Sequence, residues 1–139
     1  MISRGIPFGL VRREAADDVI VAMRESFDAR NGGFGTSPKF PQPEAIELLH
    51  ARTPDDQDWQ RIADVTLDGM LAGALWDTVD GGFFRYALAE DWSQPRQEKL
   101  LETNAALLDA YAHAAVLRTR SDWREIAERI VAWSDSTLK

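Results

Sequence analysis

A chain of 139 residues, 45% apolar and 28% charged, has the balance of an ordinary globular protein with one hydrophobic core. No apolar run approaches the ~20 residues that cross a bilayer, and a net charge of −7 without a cationic stripe argues against a nucleic-acid partner. The absence of cysteine excludes a disulfide scaffold, thiolate-bound zinc, a catalytic thiol and a CxxC redox site.

Residues 1–13 read as an N-terminal extension. Met1 to Leu10 lacks the apolar block of a signal peptide, which makes the cytoplasm the expected compartment. A first helix is expected over 14–29, with Val19, Ile20, Met23 and Phe27 on one face. It runs into Asp28-Ala29-Arg30-Asn31-Gly32-Gly33-Phe34-Gly35, whose adjacent glycines permit a sharp turn out of a helix end. A short second helix starts at Pro43, carries Ile46, Leu48 and Leu49, and stops at Thr53-Pro54; the segment 14–51 forms a first helix pair.

A third helix is expected from Asp58, as N-cap, to Trp76, with a stripe of Trp59, Ile62, Ala63, Thr66, Leu67, Met70, Leu71 and Ala74. Then the first loop recurs. Asp77-Thr78-Val79-Asp80-Gly81-Gly82-Phe83 repeats the pattern D-x-x-[ND]-G-G-F after 49 positions, a spacing typical of repeat architectures. At most, 83–87 forms a short extended piece. A fourth helix begins near Pro95, with Ser93 as a possible cap, and aligns Leu101, Asn104, Leu108 and Tyr111; with the third it forms a second pair over 58–118. A fifth occupies 121–139, Glu125 closing a capping box and Trp123, Ile126, Ala127 and Ile130 facing inward. The whole reads as one all-α domain of paired helices, part of an (α/α) ring whose glycine loops gather at one end around a depression.

Two readings of the loops stand side by side. Phe34 and Phe40 either cap the core or, with Lys39, rim a ligand depression. In the second loop, aromatic rings beside charged groups suit a sugar, whose C–H face stacks on rings while its hydroxyls meet charged partners. That places Phe83, Arg85, Tyr86 and Trp92 in a binding surface; the structural alternative is a packed corner in which Arg85 pairs with Asp80, Glu90 or Asp91. Asn104, on a core-facing line, must bond the loop backbone or a ligand. Glu98, one turn before Leu101, either points toward the loops with Lys99 as its counter-charge or serves its own helix N-terminus. His50 and His113 have no metal-ligand spacing, and no metal site or cofactor motif is readable.

These loops resemble the toroid domain of the YyaL family, which includes the spermatogenesis-associated thioredoxin-like proteins. The family pattern GGFG-x-[AS]-PKFP matches Gly32-Gly33-Phe34-Gly35-Thr36-Ser37-Pro38-Lys39-Phe40-Pro41. Its GGF-x-RY, following Trp and PHFEKML-x-DNA match Gly81-Gly82-Phe83-Phe84-Arg85-Tyr86, Trp92, Pro95, Glu98-Lys99-Leu100-Leu101 and Asn104-Ala105, so the match covers roughly 14–119. The resemblance implies an (α/α)6 toroid of the six-hairpin glycosidase and N-acylglucosamine epimerase kind, preceded in full-length members by a thioredoxin-like domain. Arg96 replaces the family His and Thr103 the Asp before the asparagine, leaving Glu98 as the one matching acid for proton transfer. The expectation is a module without catalysis of its own, structural, interacting or sugar-binding, with a carbohydrate-active enzyme using Glu98 as the alternative. Prenyltransferase-like and cyclase-like toroids also use such loops, but their aspartate-rich motif and zinc ligands are missing here. A ring of six hairpins needs roughly two to three times this length. About two and a half hairpins leave apolar flanks open, so association is expected, either with other copies or with the rest of a toroid.

Overall fold

A computed structural model describes residues 8–138, which form five helices and, among them, no strand. They are α1 (Phe8–Ser26), α2 (Pro43–Arg52), α3 (Gln57–Ala72), α4 (Leu101–Arg118) and α5 (Ser121–Thr137). Residues 27–42 form loop 1 and residues 73–100 form loop 2. The expected extension over 1–13 lies partly outside the described residues, and α1 begins inside it, at Phe8.

Each helix buries one stripe. α1 turns Ile20 and Met23 inward and leaves Val19 at the surface. α2 starts on Pro43, which supplies a preset φ where no amide partner is needed, and buries Ile46 and Leu49. α3 buries Trp59, Ile62, Ala63, Thr66, Leu67 and Met70; its cap is Asp56 rather than Asp58, accepting the amides of Asp58 and Trp59 at 3.0 and 3.3 Å. α3 ends four residues short of Trp76, because the chain at Leu75 and Trp76 turns to bond the returning loop instead.

α4 departs most from expectation. It starts at Leu101, not near Pro95, since 95–100 runs extended, bridged to Ala87 and to the backbone of Tyr86 and Arg85. Ser93 therefore caps nothing. The buried stripe is Asn104, Leu107, Ala110, Tyr111 and Ala114, with Leu101 exposed and Leu108 only partly covered. α5 follows Arg120 without a side-chain cap, so the capping box expected with Glu125 does not form; Trp123, Ala127 and Ile130 are buried. α4 packs chiefly on α5 and α2, and α2 also touches α1 and α3.

The helices repeat as the loops do. Asp58-Trp59-Gln60-Arg61-Ile62-Ala63-Asp64 in α3 returns 64 positions later as Asp122-Trp123-Arg124-Glu125-Ile126-Ala127-Glu128 in α5. Loop 1 rests on α3 as loop 2 rests on α5. Gly32 and Gly81 both take left-handed φ (+79° and +80°), and a Cβ there would lie 2.5 Å from the Val65 carbonyl oxygen and 3.0 Å from that of Arg129. Val65 and Arg129 are themselves 64 positions apart.

Candidate functional site

The two loops share one internal wiring. In loop 1, Asp28 Oδ1 accepts the amides of Arg30 and Asn31, both at 3.0 Å, and Oδ2 accepts Asn31 Nδ2 and Lys39 Nζ at 3.0 and 2.7 Å. In loop 2, Asp77 Oδ1 accepts the amides of Val79 and Asp80 at 2.9 and 3.1 Å, and Oδ2 accepts Lys99 Nζ at 2.6 Å. Each aspartate amide also reaches the second glycine's carbonyl, Asp28 to Gly33 and Asp77 to Gly82. Burial opposes the charge on both carboxyls, but the hydrogen bonds from lysine, amides and the Asn31 side chain outweigh it, and both titrate below the usual 3.8, Asp28 strongly so.

Both lysines are spent inside the protein. Lys39 is completely buried, donates a second bond to the Glu90 carbonyl at 2.8 Å, and lies 5.1 Å from the Trp92 ring centre. Lys99 donates to the Gly81 carbonyl at 2.7 Å and sits between the rings of Phe84 and Trp133, at 5.2 and 5.6 Å. Lys99 thus neutralises Asp77 and not Glu98, because the extended 95–100 segment turns its side chain into loop 2.

A polar side chain from the core fixes each loop. Thr66 Oγ1 accepts the Gly33 amide at 3.0 Å. Asn104, entirely buried, accepts the Phe83 amide at 2.7 Å and returns a bond to the Phe83 carbonyl at 3.0 Å. The loops also meet. Lys39 and Ala87 exchange both backbone hydrogen bonds, and Trp92 Nε1 donates to the Asn31 carbonyl at 3.0 Å. The two loops therefore pack against each other, with Gly32 resting on α3 and Gly81 on α5.

Of the residues expected to face a ligand, Phe34, Lys39, Phe83, Trp92 and Asn104 are buried. Phe34 packs near Phe27; Phe83 lies 4.8 Å from the Trp76 ring and stacks on Tyr111 at 5.4 Å. Trp92 has 1% exposure and covers Gly33. The groups at the surface are Phe40, Arg85, Tyr86 and Glu98. Phe40 and Tyr86 pack with ring centres 4.6 Å apart, and the guanidinium groups of Arg85 and Arg96 lie 5.9 and 6.0 Å from the Tyr86 ring. Arg85 pairs at 2.8 Å with Glu98, rather than with Asp80, Glu90 or Asp91. That hydrogen bond keeps the Arg85 guanidinium protonated more firmly than usual.

Glu98 does not lie on the helix. Its side chain is about half exposed, and its backbone carbonyl accepts the Arg85 amide at 2.8 Å. The aspartates that hold the lysines were not singled out from the sequence, although each opens its copy of the repeat. No group of three or more metal-ligating side chains occurs among the described residues. Away from the loops, His50 of α2 lies near α3 and α4, with neither ring nitrogen hydrogen-bonded among the described residues. Burial lowers its pKa from 6.5 against the opposing field of Glu47, with Arg118, Asp64 and His113 also nearby.

No helix among the described residues is long and apolar enough to cross a membrane, and no family model matches the chain. Similarity to whole proteins is clear. The chain is 34% identical over 122 residues to spermatogenesis-associated protein 20 of Homo sapiens, covering 84% of the chain and 16% of that protein. The Mus musculus protein of the same name is 32% identical over 122 residues, covering 84% of the chain and 15% of the relative. The uncharacterized protein B0495.5 of Caenorhabditis elegans is 31% identical over 112 residues, covering 76% of the chain and 14% of that protein. The chain therefore spans a small part of these relatives. Sequence similarity over most of its length links it, as a segment, to the spermatogenesis-associated protein 20 family.

Proposed function

We propose that the chain is a structural and interaction module of an (α/α) helical ring of the six-hairpin glycosidase-like kind, without catalysis of its own. The supporting observation is where the loop chemistry goes. Both lysines, both leading aspartates, Asn104 and Trp92 are consumed in bonds that hold the loops to the helices and to each other. Glycoside cleavage uses a pair of carboxyl groups flanking the bond. Here Glu98 is tied to Arg85, and Arg96 and Thr103 stand where the family resemblance has a histidine and an aspartate. The expected compartment is the cytoplasm, and the expected company is the rest of such a ring.

A second reading is favoured by one feature, the exposed Phe40 packed on the half-buried Tyr86 and flanked by Arg85, Arg96 and Glu98. An aromatic face between charges suits a saccharide-like small molecule. Calorimetry against mono- and disaccharides, run beside hydrolysis assays on chromogenic glycosides, separates the two. The module reading expects no turnover and no saturable heat. Heat that disappears in Tyr86→Ala establishes the saccharide surface, and turnover that disappears in Glu98→Gln overturns the noncatalytic reading.

A further inference from the structure

The molecule contains an apolar groove of about 590 Å³ between α4 and α5. Leu108, Ala112, Val116 and Val131 line it, Arg124 and Glu128 edge it, and Val116 is 81% exposed. Such a surface, open along two packed helices, is expensive to leave in water.

The repeat supplies a template for what covers it. By the 64-residue correspondence, the α5 wall of the groove (Ala127, Glu128, Val131) matches Ala63, Asp64 and Leu67 of α3. In the earlier unit those positions are already covered, and α4 is the cover. Tyr111 donates to the Leu67 carbonyl at 2.6 Å, and Arg118 Nε bonds both Asp64 carboxylate oxygens at 3.2 and 3.0 Å. On the α2 side, His113 meets Glu47 at 2.6 Å. The acid at the wall recurs as Glu128, held among the described residues only by the exposed Arg124 at 3.1 Å.

We propose that the α4/α5 groove seats a helix of α4's own type, the second helix of the repeat unit that α5 opens, with its basic residue on Glu128 and its apolar stripe on Val116 and Val131. This rests on reading the chain as an interaction module. The relatives, of which the chain spans 14–16%, have ample length to carry further units. A second copy of this chain fits less well. Its α2 would have to enter the groove, and the attached α1 would then fall where α5 already stands, because α1, α3 and α5 are the first helices of successive units.

The test uses the full 139-residue chain, isotope-labelled, titrated with a synthetic peptide of residues 101–118, the one helix known to fit the equivalent groove. A sequence-scrambled peptide is the control. The expected result is saturable perturbation of the amides of Ala112, Val116, Ala127 and Val131, absent with the scrambled peptide. Glu128→Lys should weaken binding about fivefold, the size of a rim ion pair, and Val116→Asp should abolish it; both positions are exposed, so unchanged spectra elsewhere verify folding. No perturbation at millimolar peptide, or perturbation centred on α2 and α3, overturns the proposal. Concentration-dependent self-association blocked by Val116→Asp also overturns it, in favour of a second copy. None of these outcomes depends on the saccharide and turnover measurements, which read the loop end, so the two proposals fail separately.

Discussion

Loops 1 and 2 carry the same motif and the same ion pair, yet they are covered differently. Loop 1 lies between α3 and loop 2, which lends it Trp92 as a roof and the Glu90 carbonyl as a second partner for Lys39. Loop 2 rests on α5 and is roofed by Trp133 of that helix, half-buried, and its lysine keeps about 12% exposure where Lys39 has none. A repeat motif thus fixes local geometry, while the neighbour in the stack decides how dry that geometry is. The two copies should then respond unequally to the same substitution.

The largest contrast is expected at the lysines. The two aspartates are equally exposed, so the contrast rests on the lysines: Lys39→Met removes a fully buried ammonium and should cost about 3–4 kcal/mol, whereas Lys99→Met removes one that keeps some solvent and should cost about 1–2 kcal/mol. Urea unfolding of both variants measures this, and equal losses would erase the distinction. Next comes the anchoring of each loop to the core. Asn104→Leu leaves both polar groups of Phe83 unpaired and should cost about 2–4 kcal/mol; Thr66→Val frees only the Gly33 amide and should cost about 1–2 kcal/mol. Amide exchange at Phe83 and Gly33 would localise each effect.

Acid should act on the pairs and on His50 in one direction. Asp28 and Asp77 titrate below 3.8 in the folded protein, so the unfolded chain takes up protons first as pH falls. Their contribution is complete well above 3.8 and is lost as pH falls through that value and below it. His50, lowered from 6.5 by burial, likewise favours the unfolded state as pH drops below 6.5. Stability measured against pH should therefore fall in two stages. His50→Gln should flatten the upper stage and Lys39→Met should shrink the lower. The smallest effect belongs to the surface pair: Glu98→Gln should leave the thermal midpoint unchanged, since solvent screens the pair with Arg85.

Much of the helical frame was legible beforehand. Stripes on α3 and α5, Pro43 at the start of α2 and the doubled D-x-x-[ND]-G-G-F corner each express a local rule of periodicity or turn chemistry. Asn104 was legible as a buried amide needing a partner, because polarity on an apolar line has few solutions. The start of α4 was not, since backbone pairing of 95–100 with loop 2 overrides the helix signal at Pro95. Glu98 and Lys99 changed partners for the same reason: in an extended segment neighbouring side chains alternate, so one faces solvent and Arg85 while the other enters loop 2. Burial of Phe83 and Trp92 was equally hidden, because an aromatic in a loop looks alike whether it roofs a glycine or greets a ligand.

From sequence alone came the helical class, the repeated corner, the absence of cysteine chemistry and the family resemblance, all properties of local pattern. Tertiary structure alone decided which carboxylate each lysine meets, that loop 2 covers loop 1, and that the α4/α5 face stays open. Those outcomes depend on distances between residues far apart in the chain, and no periodicity encodes such distances.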